Sequence, residues 1–353
     1  MSSKHPKSHH NQPHYADGPQ QHPEVPQRQQ QWSESQTLHV AACYSNHLQW
    51  STRRRLAADF RRHMRSLPNV RLHFIELAHG DRPFDLTRPH LHPDDLQVRS
   101  NTVMFHKENL LNLAVQRFPS GWQYGAIIDA DFHMARHDWA LATIHALQTH
   151  PWVQPFSSYT NLSGTTTPGT GCAPVSTNYG FAYNYVRNGY RLPPGWKEGD
   201  AYAQRRGVGA TGGAWAFTRE GWDTVGGLMD RCVLGSGDWF MAFGLIDERA
   251  PDKRYDLYTA DYADYIEAWR THARRIRKDI GYVDCHATHG WHGSMRQRGY
   301  GSRDEILIRH AFEPTLDLRP DWQGVYQLNP DKVGLRNDIR AYFLSRNEDD
   351  PTV

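Results

Sequence analysis

Apolar and polar residues fall into alternating blocks along this chain, and the blocks predict strands and helices in turn. Leu38, Val40, Ala41 and Ala42 make a first strand that runs into the polar turn Cys43-Tyr44-Ser45-Asn46. Leu48, Leu56, Phe60, Met64 and Leu67 then recur at helical spacing over 48–67. A second strand is predicted over 70–77 and a short third over 98–105, followed by a helix over 109–118. Ala126, Ile127 and Ile128 read as a buried strand that ends at two carboxylates, Asp129 and Asp131. A helix over 135–149 and a strand over 152–156 come next. This order predicts the α/β class, a single domain with a mostly parallel central sheet flanked by helices.

The second half is less regular. Residues 157–208 hold many Gly, Thr, Tyr and Pro and predict one long irregular excursion. Its Tyr159, Tyr179, Tyr183, Tyr185, Tyr190, Trp196 and Tyr202 suit a wall or lid over a site. A glycine-rich stretch, 209–213, precedes a short strand over 214–217 and a helix over 219–229. A second helix over 239–245 opens at Gly235-Ser236-Gly237-Asp238, and a third spans 262–279. A strand over 282–285 leads into a loop carrying His286, His289 and His292, and 330–343 predicts a last helix. Three segments result: a disordered His/Gln/Pro-rich tail over 1–35, the domain over 36–310, and a C-terminal extension over 311–353 packed on it.

Composition narrows the function little. The formal charge of +2 on 353 residues does not demand a nucleic-acid partner. Basic faces do occur locally, at Arg53, Arg54, Arg55, Arg61, Arg62 and Arg65, and again at Arg270, Arg274, Arg275, Arg277 and Lys278. Twelve Trp and 17 Tyr offer rings that stack on sugars or bases. The four Cys have no zinc spacing and form no dense disulfide framework. No apolar run is long enough to span a membrane, and no N-terminal signal segment is present, so a cytoplasmic location is expected. No oligomer is predicted.

The candidate chemistry centres on Asp129 and Asp131. Two carboxylates at a strand end repel at close range, and a divalent cation is the usual offset. The three histidines at 286, 289 and 292 offer imidazoles to complete a mixed N/O donor set. Lys107 stands at a helix start, and Arg296, Arg298 and Arg303 can neutralise a diphosphate. Asp238, also at a helix start, suits a helix cap or a base.

In chain order, Cys43-Tyr44-Ser45-Asn46, Asp129-Ala130-Asp131, Gly212-Gly213-Ala214-Trp215-Ala216-Phe217, Gly235-Ser236-Gly237-Asp238 and His289-Gly290-Trp291-His292-Gly293 resemble nucleotide-sugar-dependent glycosyltransferases of the GT-A fold. The similarity covers roughly 37–310 and is to the β-1,4-galactosyltransferases and polypeptide N-acetylgalactosaminyltransferases in particular. The resemblance implies Mn²⁺ or Mg²⁺ held by Asp131 and His289, with His292 in reserve. It implies a nucleoside-diphosphate sugar, UDP first, bound by Cys43, Asn46, Arg99, Lys107, Asp129, Gly213, Trp215, Trp291 and Arg298. It carries the base of an inverting transfer onto Asp238, although Gly237 stands where the family has an acidic residue. The region 157–208 would face the acceptor, either a saccharide or glycoconjugate, or a hydroxymethylated pyrimidine in DNA. Two other functions fit the same residues: a nucleotidyltransferase or phosphohydrolase working through Asp129 and Asp131, and a non-catalytic sugar- or nucleic-acid-binding protein.

Overall fold

The computed structural model describes residues 34–167, 171–193, 207–251, 253–294, 297–300 and 302–350. Nearly all of the expected tail, together with Trp196, Tyr202 and Arg296, lies outside the described residues. Strand β1 (Leu38–Ser45) shows why a sheet forms. It sends Leu38, Val40, Ala42 and Tyr44 to one face and Ala41 and Cys43 to the other, and each set joins a different hydrophobic core. A strand buried on both faces belongs in the middle of a sheet covered by helices on both sides.

That sheet has seven strands. Its order is β10 (Ile280–Tyr282), β6 (Trp152–Gln154), β9 (Ala214–Thr218), β4 (Tyr124–Ile128), β1, β2 (Val70–His79) and β3 (Asp95–Ser100). Every neighbouring pair is parallel except those of β9, which runs antiparallel to both β4 and β6. The mostly parallel α/β sheet expected from the sequence is therefore present. Helix α1 (Ser51–Ser66) covers one face with Ala57, Phe60 and Met64, together with α3 (Trp139–Leu147). The other face carries α2 (Lys107–Val115) and, further on, α5 (Arg219–Val225), α6 (Gly237–Leu245) and α7 (Ala260–Ala273).

From β1 the chain moves outward to β2 and β3, then returns to place β4 on the opposite side of β1. The strand order reverses there. In open α/β sheets the crevice at such a reversal, beyond the carboxyl ends of the strands, is where ligands bind. Asn46 and Asp129 follow the carboxyl ends of the two strands that flank it.

Gly125, in β4, lies opposite Phe217 of β9. A Cβ there would overlap the Phe217 ring and come within 3.1 Å of Phe118. Gly125→Ala is expected to destabilise the protein by about 1–3 kcal/mol through overpacking. Urea denaturation checks this, and an unchanged midpoint would show that the two rings yield freely.

Among the described residues, most of the expected irregular excursion over 157–208 is regular. Strands β7 (Ser158–Thr167) and β8 (Gly171–Tyr179) pair as an antiparallel hairpin, and helix α4 (Phe181–Arg187) follows. These strands are built largely of Ser, Thr and Asn, so the apolar alternation that marks a strand is missing. The hairpin belongs to a second sheet, ordered β5 (Phe132–Met134), β11 (His286–His289), β7 and β8. The predicted helix over 135–149 begins later, at Trp139, because residues 132–134 are taken into β5.

Beyond α8 (Asp304–Arg309) and α9 (Pro314–Asp317), the chain forms a small hairpin, β12 (Leu318–Pro320) with β13 (Tyr326–Leu328). The side chain of Gln327 accepts from Ser100 and Thr102, and Asn109 accepts from the Tyr326 amide. Asn109, at the start of α2, thus anchors this hairpin. Helix α10 (Val333–Leu344) closes the fold with Leu335, Ile339 and Phe343 buried.

Candidate functional site

The site grows out of one register. Phe132 donates its amide to the Asp129 carbonyl, so the chain turns directly after β4 and enters β5. Antiparallel pairing sets Phe132 of β5 opposite His289 of β11. The residue before one strand then meets those after the other, and Gly290 donates to the Asp131 carbonyl at 2.8 Å. Asp131, His289 and His292 converge as a result. Their ligand atoms all lie within 4.8 Å of one another. His292 Nε2 is 3.1 Å from Asp131 Oδ2, and His289 Nε2 is 3.7 Å from Oδ1.

The three groups suit a cation. Asp131 Oδ1 is buried and has no hydrogen-bond partner among the described residues. Burial, and then the neighbouring Asp129, push the Asp131 carboxyl up to about 7, against the pull of Arg298 and Arg53. Burial and Arg298 push His289 down to about 3, and burial with the same arginine holds His292 well below its ordinary value. Neutral imidazole is the form that ligates metal. His289 Nδ1 lies 2.8 Å from Asn161 Oδ1. That acceptor holds the ring proton on Nδ1 and leaves the Nε2 lone pair toward Asp131. Asn161 comes from β7, where it pairs in register with His289.

No family model matches this sequence, and no curated protein matches it. Among solved structures, the chain is similar to a provisionally assigned nucleotide-diphospho-sugar transferase from Desulfovibrio desulfuricans, at 10% identity over 78% of this chain and 98% of that one, with a TM-score of 0.31. It is also similar to a mannose-1-phosphate geranyltransferase from Thermus thermophilus, at 10% identity over 72% of this chain and 74% of that one, with a TM-score of 0.26. Likeness this slight assigns no role to any residue of this chain.

His286 stays apart from the triad. Side chains alternate along β11, so His286 and His289 face opposite ways. The His286 ring lies between Ser158 Oγ and Thr160 Oγ1, at 2.9 and 3.1 Å.

Asp129 is held from two sides. Its amide donates to the Gly213 carbonyl at 2.8 Å, and its carboxylate receives Lys107 Nζ at 3.1 Å. Gly213 has φ +87, a left-handed conformation, and a Cβ there would meet the Phe132 ring at 3.0 Å. Burial opposes the Lys107 charge, but Asp129 and Glu108 outweigh it and raise the ammonium well above its usual range. The preceding glycine, Gly212, lies against Asp238: a Cβ there would be 2.5 Å from Asp238 Oδ2. The Gly212-Gly213 dipeptide thus joins Asp129 to Asp238. Asp238 Oδ1 accepts from the Trp239 amide at 2.9 Å, and the residue is only half-buried.

Glu108 was not among the sequence candidates. It is buried beside Lys107, and its carboxyl fills the space where a Cβ of Gly237 would stand, 3.0 Å away. Burial pushes its carboxyl up to about 7, with Asp238 adding to the shift and Lys107 opposing it. No motif marks it. The one trace is Gly237 itself, which leaves room for an acid from another element.

The remaining candidates divide. Arg298 is buried, its Nε has no partner among the described residues, and it acts on Asp131, His289 and His292. Cys43 is half-buried under the Lys107 carbonyl, and burial pushes its thiol up to about 12. Trp291 is half-buried on the loop between the two triad histidines. Asn46 closes its own turn, donating to Tyr44 and the Trp50 carbonyl and accepting from the Trp50 amide. Trp215 is buried, its indole donating to the Thr211 carbonyl and lying against Trp152. Arg99 braces a loop at the β3 edge, donating to the carbonyls of Gly80 and Arg82 and stacking over Phe84. Trp215 and Arg99 are therefore not brought to the triad.

Proposed function

We propose that this chain is a divalent-metal-dependent glycosyltransferase of the GT-A type, moving a sugar from a nucleoside-diphosphate donor, UDP first, to an acceptor hydroxyl. The observation that carries the reading is the Asp131–His289–His292 triad beyond the carboxyl end of β4, at the reversal of strand order. Asp131, His289 and His292 would hold the ion, which when bound supplies Lewis-acid stabilisation of a diphosphate leaving group. Two imidazoles with one carboxylate suit Mn²⁺ better than Mg²⁺, which prefers oxygen.

The chain's own residues supply the rest. Arg298 offers a buried cation to the leaving group, and Lys107 fixes Asp129 beside it. Asp238, one dipeptide away from Asp129, would take the proton of the attacking hydroxyl, in an inverting transfer.

A saccharide or glycoconjugate acceptor is favoured over DNA. On the first basic face Arg53 pairs with Glu348, and Arg61 and Arg65 both pair with Asp95. On the second, Arg270 pairs with Asp247 and Glu267, and Arg274 with Asp247. Guanidinium groups engaged this way are poor phosphate clamps. Among the described residues no helix is long and apolar enough to cross a membrane.

Calorimetric titration of UDP with and without MnCl₂ tests the donor half, and an acceptor screen with product analysis tests the transfer. Release of UMP and sugar 1-phosphate from the donor, with no acquired sugar under any acceptor, would favour the phosphohydrolase reading. Single variants refine the metal assignment. His289→Ala and His292→Ala should each weaken Mn²⁺ by at least about tenfold, whereas His286→Ala should leave it nearly unchanged. A largest loss at His286 would overturn the ligand set.

A further inference from the structure

The C-terminal segment reaches the triad from outside the region that the sequence motifs cover. Glu348 is 1% exposed and receives Arg53 in a two-pronged pair, Nε to Oε2 at 2.8 Å and Nη2 to Oε1 at 2.6 Å. Arg346 Nε lies 3.0 Å from the same Oε1. Gly293, one residue past His292, packs directly on this segment: a Cβ there would be 3.1 Å from the Arg346 carbonyl and 3.3 Å from Glu348 Cγ. Asp349 accepts from the Ser51 and Thr52 amides at 2.8 Å each, at the first turn of α1. A carboxylate on a helix start and another on a guanidinium occupy the kind of positions that phosphates take.

The charges around Glu348 are unbalanced without it. Arg53, Arg346 and Arg298 all act on it, and the first and last also act on Asp131. Burial opposes its ionisation, but Arg53 and Arg346 outweigh burial and hold the carboxyl below its ordinary value. Among the described residues, Arg298, 8% exposed, donates only long bonds, at 3.4 Å, to Tyr300 and the Gly293 carbonyl, and keeps a buried Nε without a partner.

We infer that Glu348 is the resident counter-anion of the Arg53–Arg298–Arg346 cluster, a positioning residue that sets the balance between cation binding at the triad and diphosphate binding beside it. The inference rests on the donor reading above. With Glu348 in place, the charge of Arg53 is offset by its bidentate pair, and the Asp131 carboxylate stays available to a cation. Without its charge, the three guanidinium groups repel the cation and attract the diphosphate.

The signature is therefore two shifts of opposite sign. Glu348→Gln keeps the size and one of the two acceptor oxygens that Arg53 uses but removes the charge. Calorimetry on the full chain should show Mn²⁺ alone binding about tenfold more weakly, and UDP in EDTA binding about tenfold more tightly, as expected for one buried charge at this range. Glu348→Asp keeps the charge and should return both values toward wild type. Asp349→Asn removes the carboxylate on α1 without touching the arginines, and should produce no opposed shifts. A merely structural Glu348 would lower both affinities together, and that result, or no change in either, overturns the inference. Wild-type protein that binds UDP neither with Mn²⁺ nor without it overturns the donor reading instead.

Discussion

Asp131→Asn is expected to weaken Mn²⁺, and Mn²⁺-dependent binding of UDP, by at least about a hundredfold, or roughly 3 kcal/mol. The substitution removes the only carboxylate of the triad and leaves its shape. Stability should move differently. Asp131 is half-buried next to Asp129, and desolvation and then that neighbour already disfavour its charge, so a neutral amide relieves the metal-free protein of a cost. The variant should melt at the same temperature as wild type or slightly above it when both are in EDTA. Wild type alone should then gain stability as MnCl₂ is added, because a ligand that binds only the folded state raises its melting point. A variant that retained the Mn²⁺-dependent gain would remove Asp131 from the ligand set. A variant that melted well below wild type in EDTA would instead show that the carboxylate holds the β5–β11 pairing together.

The parts of this arrangement differ in how far the sequence discloses them. The central sheet is readable because β1, apart from His39, and β4 are apolar runs that end in polar residues, and burial on both faces demands such runs. The β7–β8 hairpin is not readable, since strands built of Ser, Thr and Asn carry no apolar period. The same contrast governs the site. Asp129, Asp131 and the histidines stand out by spacing, yet which histidines meet the carboxylate depends on the β5–β11 register, which no local pattern encodes. That register separates His286 from His289. Trp215 and Arg99 fit a ligand pocket by residue type, and only tertiary packing commits one to the core and the other to a loop brace. Glu108 and Glu348 carry no motif at all. Each reaches the site from an element distant in sequence, and for each the close approach is marked by a glycine, Gly237 and Gly293.

Asp238→Asn is expected to fold, to bind UDP and Mn²⁺ nearly as wild type does, and to transfer sugar at least about a hundredfold more slowly. The two oxygens of the side chain are held differently. Oδ1 accepts from the Trp239 amide at the start of α6, and the Asn carbonyl can keep that bond. Oδ2 lies against Gly212, in the half-buried space between Lys107 and the glycine dipeptide that also holds Asp129. An amide nitrogen placed there occupies the same volume but cannot accept a proton. The loss should then fall on the step in which the acceptor hydroxyl is deprotonated, typically worth 10²–10⁴-fold, or roughly 3–5 kcal/mol. Donor affinity should hardly change, because the triad and Arg298 are untouched. Alanine is the wrong probe, since it removes the cap and the base together. The assay has to follow sugar reaching an acceptor hydroxyl, because water can attack the donor without the same base. Product configuration, read by NMR in the same experiment, separates two failures. Near-normal transfer by the variant would leave Asp238 as a helix cap and move the search for a base to Glu108, the neighbouring carboxyl on Lys107. A retained anomeric configuration would refute direct displacement at the sugar carbon even if the variant were inactive, because a single in-line attack must invert it.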